Sequence, residues 1–271
     1  MDFGGAAFSV EIVIDLSTRP ASSSIVMRVL SILQVFPILP ISASNRSIWS
    51  WFERHNIETG EVTHEYIEPL VSHLRHPLAR CGAFGEFHLM DRTYILPGVA
   101  GTNKTFLFDA GSSSWDAGSG GPSLTYFARV WQLYGFDWHH IEAWEGKTPS
   151  TEFYSTVPSE WKSRVKYHHE WISTTPLQQP FVPSVIHHTT SSEDYVVFKL
   201  DIDSNSVETA IVEYMLKWEH LDLIDEFLWE HHVNNYLMAP NWRESQDMSK
   251  TIADSYEYFL ALRHRGVRAH S

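Results

Sequence analysis

Between Thr105 and Lys147 the chain runs through a short apolar segment, a turn of small residues, an amphipathic stretch and a second apolar segment that ends on an acid. The first segment, Phe106-Leu107-Phe108, ends at Asp109 and passes into Ala110, Gly111 and the serines Ser112, Ser113 and Ser114. Leu124, Phe127, Val130, Trp131 and Tyr134 then recur at helical spacing, and the second segment leads to Glu145. Strand, small-residue turn, helix and strand in that order make a β-α-β unit. A turn of small residues lets a ligand approach the backbone closely, with the N–H groups of a helix N-terminus beyond it. An acid at the end of the second strand can accept both hydroxyls of a ribose. Glycines in such a unit also serve simply to make turns, so the loop alone does not specify a ligand.

The remainder of the chain repeats this alternation. Residues 152–165 suggest a short helix, with Trp161 packing from it. Val165 to Ile172 suggests a third strand. Tyr195 to Asp203 is a strand ending in two acids, and Ser206 to Leu221 is helical, with Val207, Ala210, Ile211, Tyr214, Met215 and Trp218 at helical spacing. Leu223 to His232 reads as the next strand. A helix over Thr251–Arg265 should bury Ile252, Tyr256, Phe259, Leu260 and Leu262. Gly266 stops it, and Val267-Arg268-Ala269-His270 begins a last strand. Strands alternating with helices mean an α/β fold with a mostly parallel sheet.

Residues 1–45 differ. Read from Met27, the segment has a basic start, an apolar centre and a small-residue end, the shape of a signal peptide or anchor. An irregular N-terminal extension fits equally well. The compartment follows from this choice: the secretory pathway or a membrane association if the segment is a signal, the cytoplasm otherwise. Asn45 and Asn103 open glycosylation sequons that matter only in the first case. Residues 46–100 form a cap region, with a short helix stopped by Pro77, a loop at Gly82 and Gly85, and a strand over Asp91–Leu96. Residues 101–271 form the main domain.

A formal charge of −13 without a basic block disfavours binding to a phosphate backbone, so nucleic acid is not the expected partner. The single cysteine, Cys81, rules out an intrachain disulfide and a thiolate metal cluster; it is read as a small buried hydrophobe.

In an open α/β sheet, ligands bind beyond the carboxyl ends of the strands. Four strand ends offer polar groups there: Asp109 with Gly111 and Ser112, then Glu145, then Asp201 with Asp203, then Glu230 with His231 and His232. If Asp201 and Asp203 both remain in strand, their carboxylates face one side. Asp201, Asp203, Glu230 and His232 could then hold a divalent metal. Alternatively His231 or His232 acts as a general base, or these groups only support a site through hydrogen bonds. Trp144 could lie against an adenine or simply pack the core. The pairs His139-His140, His168-His169 and His187-His188 are read as loop or strand-edge residues without a role.

Phe106-Leu-Phe-Asp-Ala-Gly, Ile141-Glu-Ala-Trp-Glu, Val196-Val-Phe-Lys-Leu-Asp-Ile-Asp and the closing Gly266-Val-Arg-Ala-His together resemble FkbM-type class I methyltransferases over residues 104–271. The resemblance implies a Rossmann-like three-layer sandwich that binds S-adenosylmethionine. Asp109 and Gly111 would match the cofactor loop and Glu145 the ribose acid. Lys199, Asp201 and Asp203 would match the later strand. Asp203 stands where the family usually has Glu, and Ser204 where it has Gly. Ile67 to Val71 and Glu230-His231-His232 look closer to a poorly characterised eukaryotic branch. The implied activity is O-methylation of a small molecule or sugar, with Asp201, His231 or His232 as the base. A metal-dependent transferase or hydrolase and a non-catalytic protein of the same fold are the alternatives.

Overall fold

The computed structural model describes residues 104–117, 123–133, 137–234 and 247–270, together with the backbone of four strands between residues 8 and 67. These four strands are β1 (Phe8–Ile12), β2 (Ile25–Leu33), β3 (Ser50–Asn56) and β4 (Val62–Ile67). They pair in chain order as one antiparallel sheet. The irregular extension expected before residue 46 is corrected here. Residues 25–33 are a strand paired on both sides, and Ile25, Val26, Val29 and Ile32 suit an extended backbone. In this sheet Ile25 to Ser31 pair with Ser50 to Asn56. The helix expected to stop at Pro77, the loop at Gly82 and Gly85, the strand expected over 91–96, Cys81 and both sequon asparagines lie outside the described residues.

The second sheet has six strands: β5 (Thr105–Ala110), β6 (His140–Trp144), β7 (Val165–His168), β8 (Tyr195–Leu200), β9 (Glu226–Trp229) and β10 (Arg268–His270). Their order is β10-β9-β8-β5-β6-β7, and every pairing is parallel. β5 and β8 are central and wholly buried, which is why they read as near-continuous apolar runs. Successive residues face opposite sides. Phe106, Phe108, Phe198 and Leu200 pack against α3 (Val182–Thr189), α4 (Asn205–Met215) and α5 (Ile252–His264). Leu107, Ile141 and Val197 pack on the other side against α1 (Ser123–Leu133) and α2 (Ser150–Thr156). Helices thus cover both faces of a parallel sheet, the α/β arrangement the sequence implied.

β10 is anchored by a buried carboxylate. Glu226, at the start of β9, is bound by Arg268 Nε at 3.1 Å, by the Tyr195 hydroxyl and by His270 Nε2. At the other end of α5, Thr251 and Asp254 form a capping box, and Gly266 at φ +89° stops the helix as expected.

Several boundaries differ from the sequence reading. α2 stops at Thr156 rather than reaching Val165, since Pro158 disfavours a helical residue before it. Trp161 is nonetheless buried. α4 closes at Met215 through i→i+3 bonds from Lys217 and Trp218. α3 was not anticipated. Its signals are Pro183 in the first turn and the spacing of Val182, Val185 and Ile186. His187 and His188 lie in its last turn, not in a loop or at a strand edge. On α5, Ile252 is exposed, whereas Phe259 and Leu262 are buried as expected.

Candidate functional site

β6, β5, β8 and β9 are consecutive neighbours, so their carboxyl ends share one edge of the sheet. From β5 the chain moves outward through β6 and β7, then returns to β8 on the opposite flank of β5. A crevice opens where the order reverses, because the connections leave in opposite directions. A cavity of about 450 Å³ lies at that place.

The turn after β5 is built around Gly111. Its φ of +89° favours glycine, and a Cβ there would lie 1.7 Å from the Asp201 carbonyl oxygen. The N–H groups of Gly111 and Ser112 donate to the Trp144 carbonyl at 2.9 and 3.2 Å. The turn is therefore clasped between the ends of β6 and β8. Lys199 secures it from β8: the buried ammonium donates to Asp109 Oδ1 at 3.1 Å and to the Gly111 carbonyl at 3.2 Å, and lies 3.3 Å from Asp201 Oδ2. Ser123 Oγ, at the start of α1, donates to Asp109 Oδ2 at 3.0 Å.

Asp109 is thus fully buried and does not reach the cavity. The residue expected to bind cofactor at this turn instead lies behind it, holding the turn in place. Gly111 and Ser112 do line the cavity, and Ser112 Oγ is buried without a hydrogen-bond partner among the described residues. Trp144 also lines it. Its ring stacks on His168 with centroids 5.0 Å apart, and its Nε1 is likewise buried and unpartnered. Buried polar atoms are ordinarily satisfied, so these two mark a place where a ligand can supply the partner.

Glu145 stands at the wall as expected. Its Oε1 accepts from the Lys147 backbone N–H at 2.7 Å. Beside it, over Gly146, lies a residue the sequence reading passed over. Trp171 is 62 % exposed, and its ring lies so close over Gly146 that a Cβ there would come within 2.3 Å. An exposed indole on a glycine beside a cavity offers a flat apolar wall; a Trp shortly after a strand end was the available signal.

Asp201 and Asp203 both line the cavity, but neither is in strand, because β8 ends at Leu200. The condition under which their carboxylates would share a face is not met. Asp203 adopts a left-handed conformation at φ +57°. Glu208, in the first turn of α4, fixes the bend: its carboxylate accepts from Ile202 N at 3.0 Å, Ser204 N at 3.2 Å and Trp229 Nε1 at 3.0 Å. Burial, and then the Asp201 carboxylate, push Glu208 up to about 7. Burial and Asp201 likewise raise Asp203 above its ordinary value.

The end of β9 does not join this wall. Glu230, His231 and His232 are not among the lining residues. His231 stacks on Trp229 at 4.1 Å and meets Tyr258 of α5 edge-on, and burial lowers it to about 4. His232 is buried, with Nε2 3.4 Å from Glu230 Oε1. Burial alone would lower its pKa, but the Glu230 carboxylate, with Glu208 and Asp201 behind it, more than offsets this and leaves it raised. The expected base at His231 or His232 is therefore displaced from the cavity. The expected metal set of Asp201, Asp203, Glu230 and His232 is corrected too. Lys199 takes Asp201, Glu230 pairs with His232, and among the described residues no group of three or more His, Cys, Asp or Glu could hold a metal.

No family model matches the chain, and no curated protein matches it. The crystal structure of an intact type IV self-sufficient cytochrome P450 monooxygenase is similar at 13 % sequence identity and a TM-score of 0.30. The match covers 76 % of this chain and 26 % of that one. A likeness of that size carries no argument about fold or ligand.

Proposed function

We propose that the cavity binds S-adenosylmethionine and that the chain is an FkbM-type methyltransferase acting on an oxygen of a small molecule or sugar. One observation carries this reading: the Gly111-Ser112 turn and Glu145 wall the same cavity, at the point where the strand order reverses. Counted from β5, the strand order is compatible with a doubly wound, Rossmann-like sheet, a class in which ligands bind at this crevice. The residues present fit the cofactor. Glu145 would accept from the ribose hydroxyls, and Ser112 Oγ and Trp144 Nε1 would gain the partners they lack.

The bound cofactor supplies an electrophilic methyl group on a sulfonium. The chain's own part would be positioning, holding an acceptor oxygen in line with that methyl. In a transfer from such a cofactor the acceptor's hydroxyl proton would pass to a carboxylate of this chain. Asp201 and Asp203 are the carboxylates on the β8 side of the cavity. Among the described residues no donor set for a metal is assembled.

Titration calorimetry of the full chain with S-adenosylhomocysteine tests the reading. Micromolar binding that Glu145→Ala abolishes supports it; no binding removes it. A second reading, the same fold binding a ligand without turnover, is favoured by one observation: among the described residues no histidine lines the cavity. Binding without methyl transfer to any hydroxyl acceptor in a broad panel would select it.

A further inference from the structure

We propose that Asp203 makes this cavity a selector of ligand charge, holding a cationic sulfonium or ammonium ligand more tightly than the neutral thioether left after transfer. The inference rests on the functional reading above and extends it to the exchange of product for fresh cofactor.

Four carboxylates stand on the wall: Glu145, Glu170, Asp201 and Asp203. Three have protein partners. Glu145 Oε1 accepts from Lys147 N, Glu170 Oε1 lies 3.2 Å from His168 Nδ1, and Asp201 Oδ2 lies 3.3 Å from Lys199 Nζ. Lys199 is shared with the buried Asp109, so one ammonium serves two carboxylates. The other lysine of the wall, Lys147, is exposed to solvent. The Asp203 carboxylate accepts no hydrogen bond among the described residues. Partial burial and the Asp201 carboxylate beside it raise its acid above the ordinary range, and the positive charges of His232 and Lys147 oppose that rise without cancelling it.

Geometry places this charge firmly. Glu208 takes the N–H groups on both sides of Asp203, and the left-handed backbone sets it at the tip of the bend. The same cavity holds the unpartnered Ser112 Oγ and Trp144 Nε1, an independent sign that a ligand belongs there. A ligand carrying positive charge gains from Asp203 what a neutral one of the same shape does not.

The test is calorimetry of the full chain with S-adenosylmethionine, its amine analogue sinefungin and S-adenosylhomocysteine at low and high salt. It is repeated on Asp203→Asn and on Glu193→Gln, which removes an exposed acid at the opposite edge of the sheet. Asparagine tolerates the left-handed backbone, so the fold is kept. The wild type should prefer the two cationic ligands by about three- to fivefold, and salt should shrink the preference. Asp203→Asn should erase most of it while leaving S-adenosylhomocysteine affinity unchanged, and Glu193→Gln should leave it intact. Equal affinities in the wild type, or a preference that survives Asp203→Asn, overturn this inference and leave the cofactor reading standing. No binding of any of the three overturns both.

Discussion

Lys199 of β8 and Asp109 of β5 meet at 3.1 Å with side chains only 4 % and 0 % exposed, and this pair holds together the two strands between which the order reverses. Removing one partner of a buried pair strands the other charge, at a cost of about 3–5 kcal/mol. Lys199→Met should therefore lower the urea midpoint by that equivalent. Adding Asp109→Asn should recover much of the loss. A single variant within about 1 kcal/mol of wild type would mean that the pair is hydrated in solution.

Gly111→Ala combines two penalties. A left-handed backbone costs a non-glycine residue about 1–2 kcal/mol, and the new methyl would sit 1.7 Å from the Asp201 carbonyl, an overpacking worth roughly another 1–3 kcal/mol. The bend after β8 must move to relieve it, so affinity for S-adenosylhomocysteine should also disappear. Near-native binding by a folded Gly111→Ala protein would contradict the clasp between β5 and β8.

Gly146→Ala should behave oppositely. Its methyl would lie 2.3 Å from the Trp171 ring, but that ring is 62 % exposed and free to swing away. Stability should stay within about 0.5 kcal/mol of wild type. Ligand affinity should fall about five- to tenfold as the flat wall is lost. Thermal denaturation and calorimetry on the same sample separate the two effects.

Glu208 and His231 make opposing contributions to stability against pH. Burial and Asp201 raise Glu208 to about 7 in the folded chain. Its contribution is thus fully present below its ordinary value of 4.5 and is lost as pH rises through about 7. Burial lowers His231 from its ordinary 6.5 to about 4, so its contribution is present above 6.5 and is lost as pH falls through about 4. Between about pH 4.5 and 6.5 the two slopes oppose each other. Glu208→Gln should unmask a stability that rises with pH across that window. His231→Phe, which keeps the stack on Trp229, should unmask one that falls. Parallel profiles for the two variants would refute the assignment.

Much of this arrangement was legible in local sequence. Phe106-Leu107-Phe108 and Tyr195-Val196-Val197-Phe198 announced the central strands because a strand buried on both faces has no polar alternation to hide it. Gly111 and Gly266 were visible as breaks in pattern, and both prove to need positive φ. The cavity's position followed from strand ends alone. What was illegible depended on direction. Asp109 and Glu145 look alike as acids at strand ends, yet only Glu145 reaches the cavity, because Lys199 and Ser123 turn Asp109 inward. Glu208 and Trp171 belong to no motif and gain their place only through the folds of neighbouring turns.

By itself the sequence determined that parallel strands would alternate with helices, and which acids and small residues would arrive at the strand ends. These follow from periodicity and turn chemistry, properties of residues close together in the chain. Only the tertiary structure decided which of those groups share one space. Asp201 and Asp203 leave the strand before they can align, His231 turns toward α5, and one lysine is committed to the carboxylates of two strands. The reason is that side-chain direction at a strand end is set by contacts with residues about ninety positions away, as between Lys199 and Asp109.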